Sequence, residues 1–174
     1  MNDQTLQYPI GKFSPQEAYS KLELEECIRR IETLPSRVDS MIKNFSGKQL
    51  ETSYREGGWS ARQVLHHISD SHMNAYIRFK WALTEDTPVI KAYNEKLWAE
   101  TPETKMDPLL SVNLLKALHV KWVALMKSLT TEDLQKEYIH PETQKHIRLD
   151  RLVAMYAWHG DHHLAHLEIV AKKN

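Results

Sequence analysis

The 174-residue chain has a single cysteine, Cys27, so no internal disulfide can form, and this fits a reducing compartment. It carries no excess charge of either sign: 23 Lys plus Arg balance 23 Asp plus Glu. Tracking a phosphate backbone needs a basic stripe, so no nucleic-acid partner is expected. No apolar run approaches the length that crosses a bilayer. The opening MNDQTLQYPIGKF lacks the basic start and apolar run of a secretory leader. A cytoplasmic protein without membrane attachment is the expectation. Glycine is scarce, at five residues, and long stretches lack both Gly and Pro, which favours helix over sheet. The length suits one domain whose core needs no covalent staples.

What is present reads as four long helices. Ser14-Pro15-Gln16-Glu17 has the composition of a capped start, with a run to Thr33. Pro35 then predicts a kink or a new helix to about Phe45, with Gly47 as a stop. Ser60 and Gln63 form a capping box after the Gly57-Gly58 turn, Trp59 can staple onto Val64, and the helix should reach about Leu83. From Glu85 to Asp107 the periodicity breaks, as in a long crossover or lid. Asp107-Pro108 opens a third helix, with Leu110, Leu114, Leu118, Trp122 and Leu125 at helical spacing to about Leu129. YIHPETQKHIR reads as a β-hairpin turning at Pro141 to Lys145, and Asp150 can cap a last helix reaching about Lys172. Without repeats or linkers, residues 1–174 read as one all-α four-helix-bundle domain with a small hairpin.

Ten histidines are present, and WHGDHHLAH at 158–166 holds four of them. At about 100° per residue, Leu149, Leu152, Tyr156, Leu167 and Val170 form one inward stripe. His163 falls within that stripe and His159 at its edge; His162 points off it and His166 is intermediate. The i, i+4 pair His159 and His163 brings two imidazoles to one point, as a divalent metal needs. The segment HHISDSH supplies His66, His67 and His72 beside a stripe of Val64, Ile68, Ala75, Phe79 and Ala82. His72 lies within it, His67 on its flank and His66 nearly opposite, so spacing leaves His67 and His72 open as further ligands. His119, His140 and His146 read as incidental, and the five tryptophans as core.

GGWSARQVLHHISDSHMNAYIRF, WHGDHHLAH, the opening YPIG, the segment TPVIKAYNEKLW and the HPET turn together resemble the DinB/YfiT-like family of metal-dependent hydrolases, within a bacillithiol-transferase-like superfamily. The resemblance spans nearly the whole chain. It implies a four-helix bundle, a homodimer, and one divalent ion per chain held by three histidines. Residue by residue, those ligands fall on His67, His159 and His163. Members often have Gly-Gln where this chain has Ala165-His166, which makes His166 a candidate support for a ligand.

Three neutral imidazoles leave a coordination position open, the catalytic pattern, whereas structural zinc sites are closed by four protein ligands. Zinc is the first candidate, and nickel or iron also suit an all-imidazole site. Water at the open position would be acidified to a pKa of about 7, and a thiol would be deprotonated. The expected activity is therefore hydrolysis of a small molecule, or transfer of a low-molecular-weight thiol as superfamily relatives do with bacillithiol or mycothiol. A non-catalytic metal-binding stress-response module is the third reading. No side chain stands out as general base: Asp70, Asp161 and Glu95 are available, the two aspartates more as partners of an imidazole or solvent. Asn74 and Arg78 share the His67 flank, and Arg78 offers a fork for a carboxylate of substrate or thiol.

Overall fold

A computed structural model describes residues 3–173; Met1 and Asn2, at the head of the stretch read for a leader, and Asn174 lie outside it. In chain order the elements are α1 (Asp3–Gln7), α2 (Lys21–Ile42), α3 (Gly47–Leu50), α4 (Ala61–Thr84), α5 (Glu95–Trp98), a 3-10 turn (Pro102–Lys105), α6 (Leu109–Lys127), α7 (Thr131–Gln135), β1 (Glu137–His140), β2 (Lys145–Arg148) and α8 (Leu149–Ala171). The long helices α2 and α4 each pack on both α6 and α8, so α2 lies diagonally across from α4. This is the four-helix bundle with a hairpin that the helical patterning implies.

The α4 start follows the expected chemistry. Ser60 accepts from the Gln63 backbone and Gln63 answers to the Ser60 N–H, while Gly57 takes the positive φ of the preceding turn. Four other readings need correction. α2 begins at Lys21, capped reciprocally by Ser20 and Glu23. The Ser14–Glu17 stretch stays irregular because its groups are used elsewhere: Arg148 donates to the Glu17 carbonyl and the Gln16 N–H to Tyr19. Pro35 does not break the helix, which runs through it. Proline removes the N–H that Ile31 O would receive, and His119 Nδ1 supplies one instead at 2.7 Å.

The inward face of α6 is also rotated from the expected stripe. Val112, Leu115, His119, Trp122, Val123 and Met126 are buried, while Leu110 and Leu114 are exposed. A buried histidine within the stripe displaced the leucine pattern as the guide to the core. α6 has the length and apolar composition of a bilayer span, although Lys116 and Lys121 interrupt its apolar run. Here it forms one wall of the bundle. Finally, Asp150 does not cap α8. The strand runs straight into the helix, Arg148 takes the N-cap position, and the buried Asp150 carboxylate pairs with the Arg148 guanidinium.

Two apolar clusters fill the interior. One gathers Ile31, Phe79, Trp122, Tyr138, Leu149 and Leu152, the other Leu34, Val64, Ile68, Leu115, Leu164 and Leu167. His72, His119, His159, His162 and His163 fall between these clusters along their helices, while His66, His67 and His166 sit within the span of the second. The crossover is tied down by β1: the Ile139 N–H donates to Pro88 O and the Ile90 N–H to Ile139 O. That pairing carries Tyr93 and Glu95 over the end of the histidine layer.

Candidate metal centre

His67 from α4 meets His159 and His163 from α8, one donor atom of each lying within 4.8 Å of the others. Ring centroids are 5.3 Å apart for His67 and His159, 4.8 Å for His67 and His163, and 4.5 Å for His159 and His163. The Nε2 atoms of His67 and His159 approach to 3.3 Å. Trp59, at the α4 entry, lies 4.6 Å from His67 and walls one side. Burial, with the neighbouring His166, pushes His67 down to about 4, and burial with the adjoining imidazoles holds His159 and His163 well below the usual histidine range. All three rings are therefore neutral at pH 7, with a lone pair to give.

Which nitrogen carries that lone pair follows from two hydrogen-bonded relays. In the first, His119 Nδ1 lies 2.7 Å from Ile31 O, and a carbonyl only accepts. Neutral His119 must then accept at Nε2, so His72 Nδ1 donates to it at 2.9 Å. His72 in turn accepts at Nε2, from His159 Nδ1 at 3.3 Å. That leaves His159 Nε2 bare and facing His67. The second relay starts at Gln7 O, which accepts from His166 Nε2 at 3.2 Å. His166 Nδ1 then accepts from His163 Nδ1 at 3.4 Å, leaving His163 Nε2 bare as well.

Two of the three, His67 and His159, open onto a cavity of about 300 Å³ lined also by Ser71, Arg78, Tyr93 and Tyr156, with Glu95, His140 and Glu142 at its rim. Ser71 Oγ lies 3.4 Å from His159 Nε2 and 3.3 Å from the Tyr156 hydroxyl. Of the other residues singled out in the sequence, Arg78 is buried in this cavity and Glu95 is exposed at its edge. Asn74 is not in it; its amide donates to the Asp70 carbonyl of its own helix. The Asp70 carboxyl, raised to about 6 by burial and then by Glu103, lies outside the cavity lining. Asp161 pairs with Arg30 and Arg37 of α2.

Ser71, Tyr93 and Tyr156 carry no sequence signal as cavity residues, and His119 reads as incidental from sequence alone. His162, read as pointing off the stripe, is buried, stacked on Trp158 at 4.5 Å and covered by Tyr8 of the N-terminal segment. Only that segment's path across α8 could have signalled it. For His119 the one available signal was Pro35, whose freed carbonyl needs a buried donor.

A bundle that gathers three neutral imidazoles from two helices around one point is a helical fold with a candidate metal site. The chain belongs to the DinB superfamily, whose sequence profile matches residues 30–167. It is 41% identical over 174 residues to YfiT of Bacillus subtilis, covering 99% of this chain and 98% of that one. A Bacillus cereus relative is 47% identical over 173 residues with the same coverage. Both are named provisionally as metal-dependent hydrolases. The solved structure of Bacillus subtilis YfiT, described as an unusual four-helix bundle topology, superposes with a TM-score of 0.95 at 42% identity over 97% of each chain. A mycothiol-dependent maleylpyruvate isomerase shares the fold at a TM-score of 0.66 and 15% identity, over 83% of this chain and 60% of that one.

Proposed function

We propose that the protein is a divalent-metal-dependent enzyme acting on small molecules, with His67, His159 and His163 as the ligands and hydrolysis of a small ester or amide as the reaction. The observation that carries the reading is the convergence of their donor atoms within 4.8 Å. The donor set fits a catalytic cation: three neutral nitrogens and, among the described residues, no fourth side chain in the cluster. Cys27 is buried in the apolar cluster of α2, where burial pushes its thiol up. A divalent ion held by the three histidines would supply Lewis acidity at the open side of the cluster. The chain's own groups do the rest. Trp59 and the crossover limit water, and the Ser71 and Tyr156 hydroxyls orient groups beside His159.

A second reading, transfer of a low-molecular-weight thiol, is favoured by one specific feature. Among the described residues no carboxylate hydrogen-bonds to the three ligands, so a nucleophile that ionises without a base suits the site. Elemental analysis of untagged protein tests the common premise. About one divalent ion per chain is expected in the wild type and loss of it in His163→Ala. A metal-free wild type overturns the proposal. A screen of esters and amides, run beside thiols with a generic electrophile, then separates the two reactions. Loss of stability in His163→Ala with no activity found for either set would leave only a bracing metal.

A further inference from the structure

We propose that Arg78 is a second anchor in the same cavity, one that takes the carboxylate of an elongated small molecule whose reacting end lies at the three histidines. The inference rests on the metal-site reading above and names its substrate class. Arg78 lies eleven residues after His67 on α4, about three turns further along the same face and about 16 Å down the axis. Helical side chains lean toward the N-terminus, so its guanidinium reaches back toward the histidines. Both residues line the one cavity.

Arg78 is 7% exposed, and its Nε has no hydrogen-bond partner. Arg29, Arg30, Arg37, Arg62 and Arg148 each meet a carboxylate; Arg78 meets none among the described residues. The nearby Tyr138 phenol does not neutralise it, since burial pushes that hydroxyl up to about 12. A buried, unpaired cation is costly unless it serves an anion. The planar fork matches a carboxylate with two parallel bonds. The exposed Glu95 and Glu142 at the rim oppose a doubly charged phosphate but tolerate a single negative charge.

The test uses Co(II)-loaded protein and ω-mercaptocarboxylic acids of graded chain length, each paired with the ω-mercaptoalcohol of equal length. Thiolate-to-cobalt absorption reports binding. The expected result is a preference of about tenfold or more for the acid at one chain length, as a charge-assisted bond gives. The preference should disappear in Arg78→Gln and survive in part in Arg78→Lys. Equal affinities at every length in the wild type overturn the proposal without any variant, as does a preference undiminished in folded Arg78→Gln. Failure to take up Co(II) at all overturns the metal reading itself, and this inference with it.

A separate observation carries a second inference. We infer that His72, His119 and His166 are positioning residues, holding His159 and His163 as Nε2 donors before any metal arrives. Both relays end on backbone carbonyls, Ile31 O and Gln7 O, which cannot take up a proton. They therefore fix direction and do not conduct protons out. Nitrogen-15 spectra of imidazoles in the metal-free wild type test this directly. The expected pattern is Nδ1–H on His119, His72, His159 and His163, and Nε2–H on His166. An Nε2–H form of His72 or His163 overturns it. In folded His119→Phe, His159 should populate both tautomers and Co(II) affinity should fall 10- to 100-fold, the usual effect of losing a ligand's partner; unchanged spectra and affinity would refute the role.

Discussion

Gly160→Ala isolates the packing that holds α8 against α2. A Cβ at position 160 would stand 2.6 Å from Leu34 Cδ2 and 3.3 Å from its Cδ1. Leu34 is 1% exposed, so its methyl groups have little room to retreat. Overpacking of this kind costs about 1–3 kcal/mol, while Gly to Ala inside a helix returns about 1 kcal/mol. The net expectation is a loss of about 1 kcal/mol, or about 2–4 °C in Tm for a chain of this size. The clash also falls beside the site, since Gly160 follows His159 and Leu34 lies one turn beyond Ile31. Metal affinity should therefore fall together with stability. Urea unfolding of a double-mutant cycle with Leu34→Ala reads the effect. Removing the leucine should reverse the sign, so that Gly160→Ala stabilises in the Leu34→Ala background. If Gly160→Ala already stabilises the otherwise native chain, the close approach of the helices is not the constraint argued here.

The metal-free protein should lose stability as pH falls from about 6.5 toward 4. His119, His162 and His166 stay neutral in the fold until about 4 because they are buried, whereas unfolded imidazoles protonate near 6.5. The unfolded state thus binds more protons in that window, at up to about 1.4 kcal/mol per pH unit for each group. Asp70, raised to about 6, works in the opposite sense, holding a proton in the fold that the unfolded carboxyl releases above about 4; a flat urea midpoint between pH 6.5 and 4.5 would contradict this balance. Ser60→Ala should cost about 1 kcal/mol by removing the α4 cap, measured as a lower urea midpoint at unchanged slope. Chelator should lower the Tm of metal-loaded wild type and leave that of His163→Ala unmoved.

The inward position of His159 and His163 is legible because Leu149, Leu152, Tyr156 and Leu167 define a face that contains His163 and borders His159. His67 was not separable from His72 by spacing, and the structure shows why: both face inward, His67 at the cluster and His72 one layer behind it. His119 left no local trace, since its meaning depends on a carbonyl freed by Pro35 on another helix. The burial of His162 was missed for a different reason. Helical periodicity divides a helix into core and solvent, but the N-terminal segment covers that side of α8 through Tyr8 and Gln7. The α2 start was ambiguous because Ser-x-x-Glu occurs twice, at Ser14 and at Ser20, and only contacts distant in sequence keep the first irregular.

The placement of the histidines also explains how the bundle tolerates them. A polar layer between the Phe79–Trp122 and Leu34–Ile68 clusters interrupts what an apolar core could fill more cheaply. Two backbone carbonyls accept the outermost protons of the layer, and each ring behind them accepts from the next. Such a one-directional chain satisfies every nitrogen except the last, and the last nitrogens of both chains are His159 Nε2 and His163 Nε2. The two relays therefore bring their unprotonated nitrogens together beside His67, with the Ser71 hydroxyl 3.4 Å from that of His159. Departures from core economy of this kind gather where a fold serves something other than stability, and the buried Arg78 Nε and His162 Nδ1, also without partners, lie close to the same layer.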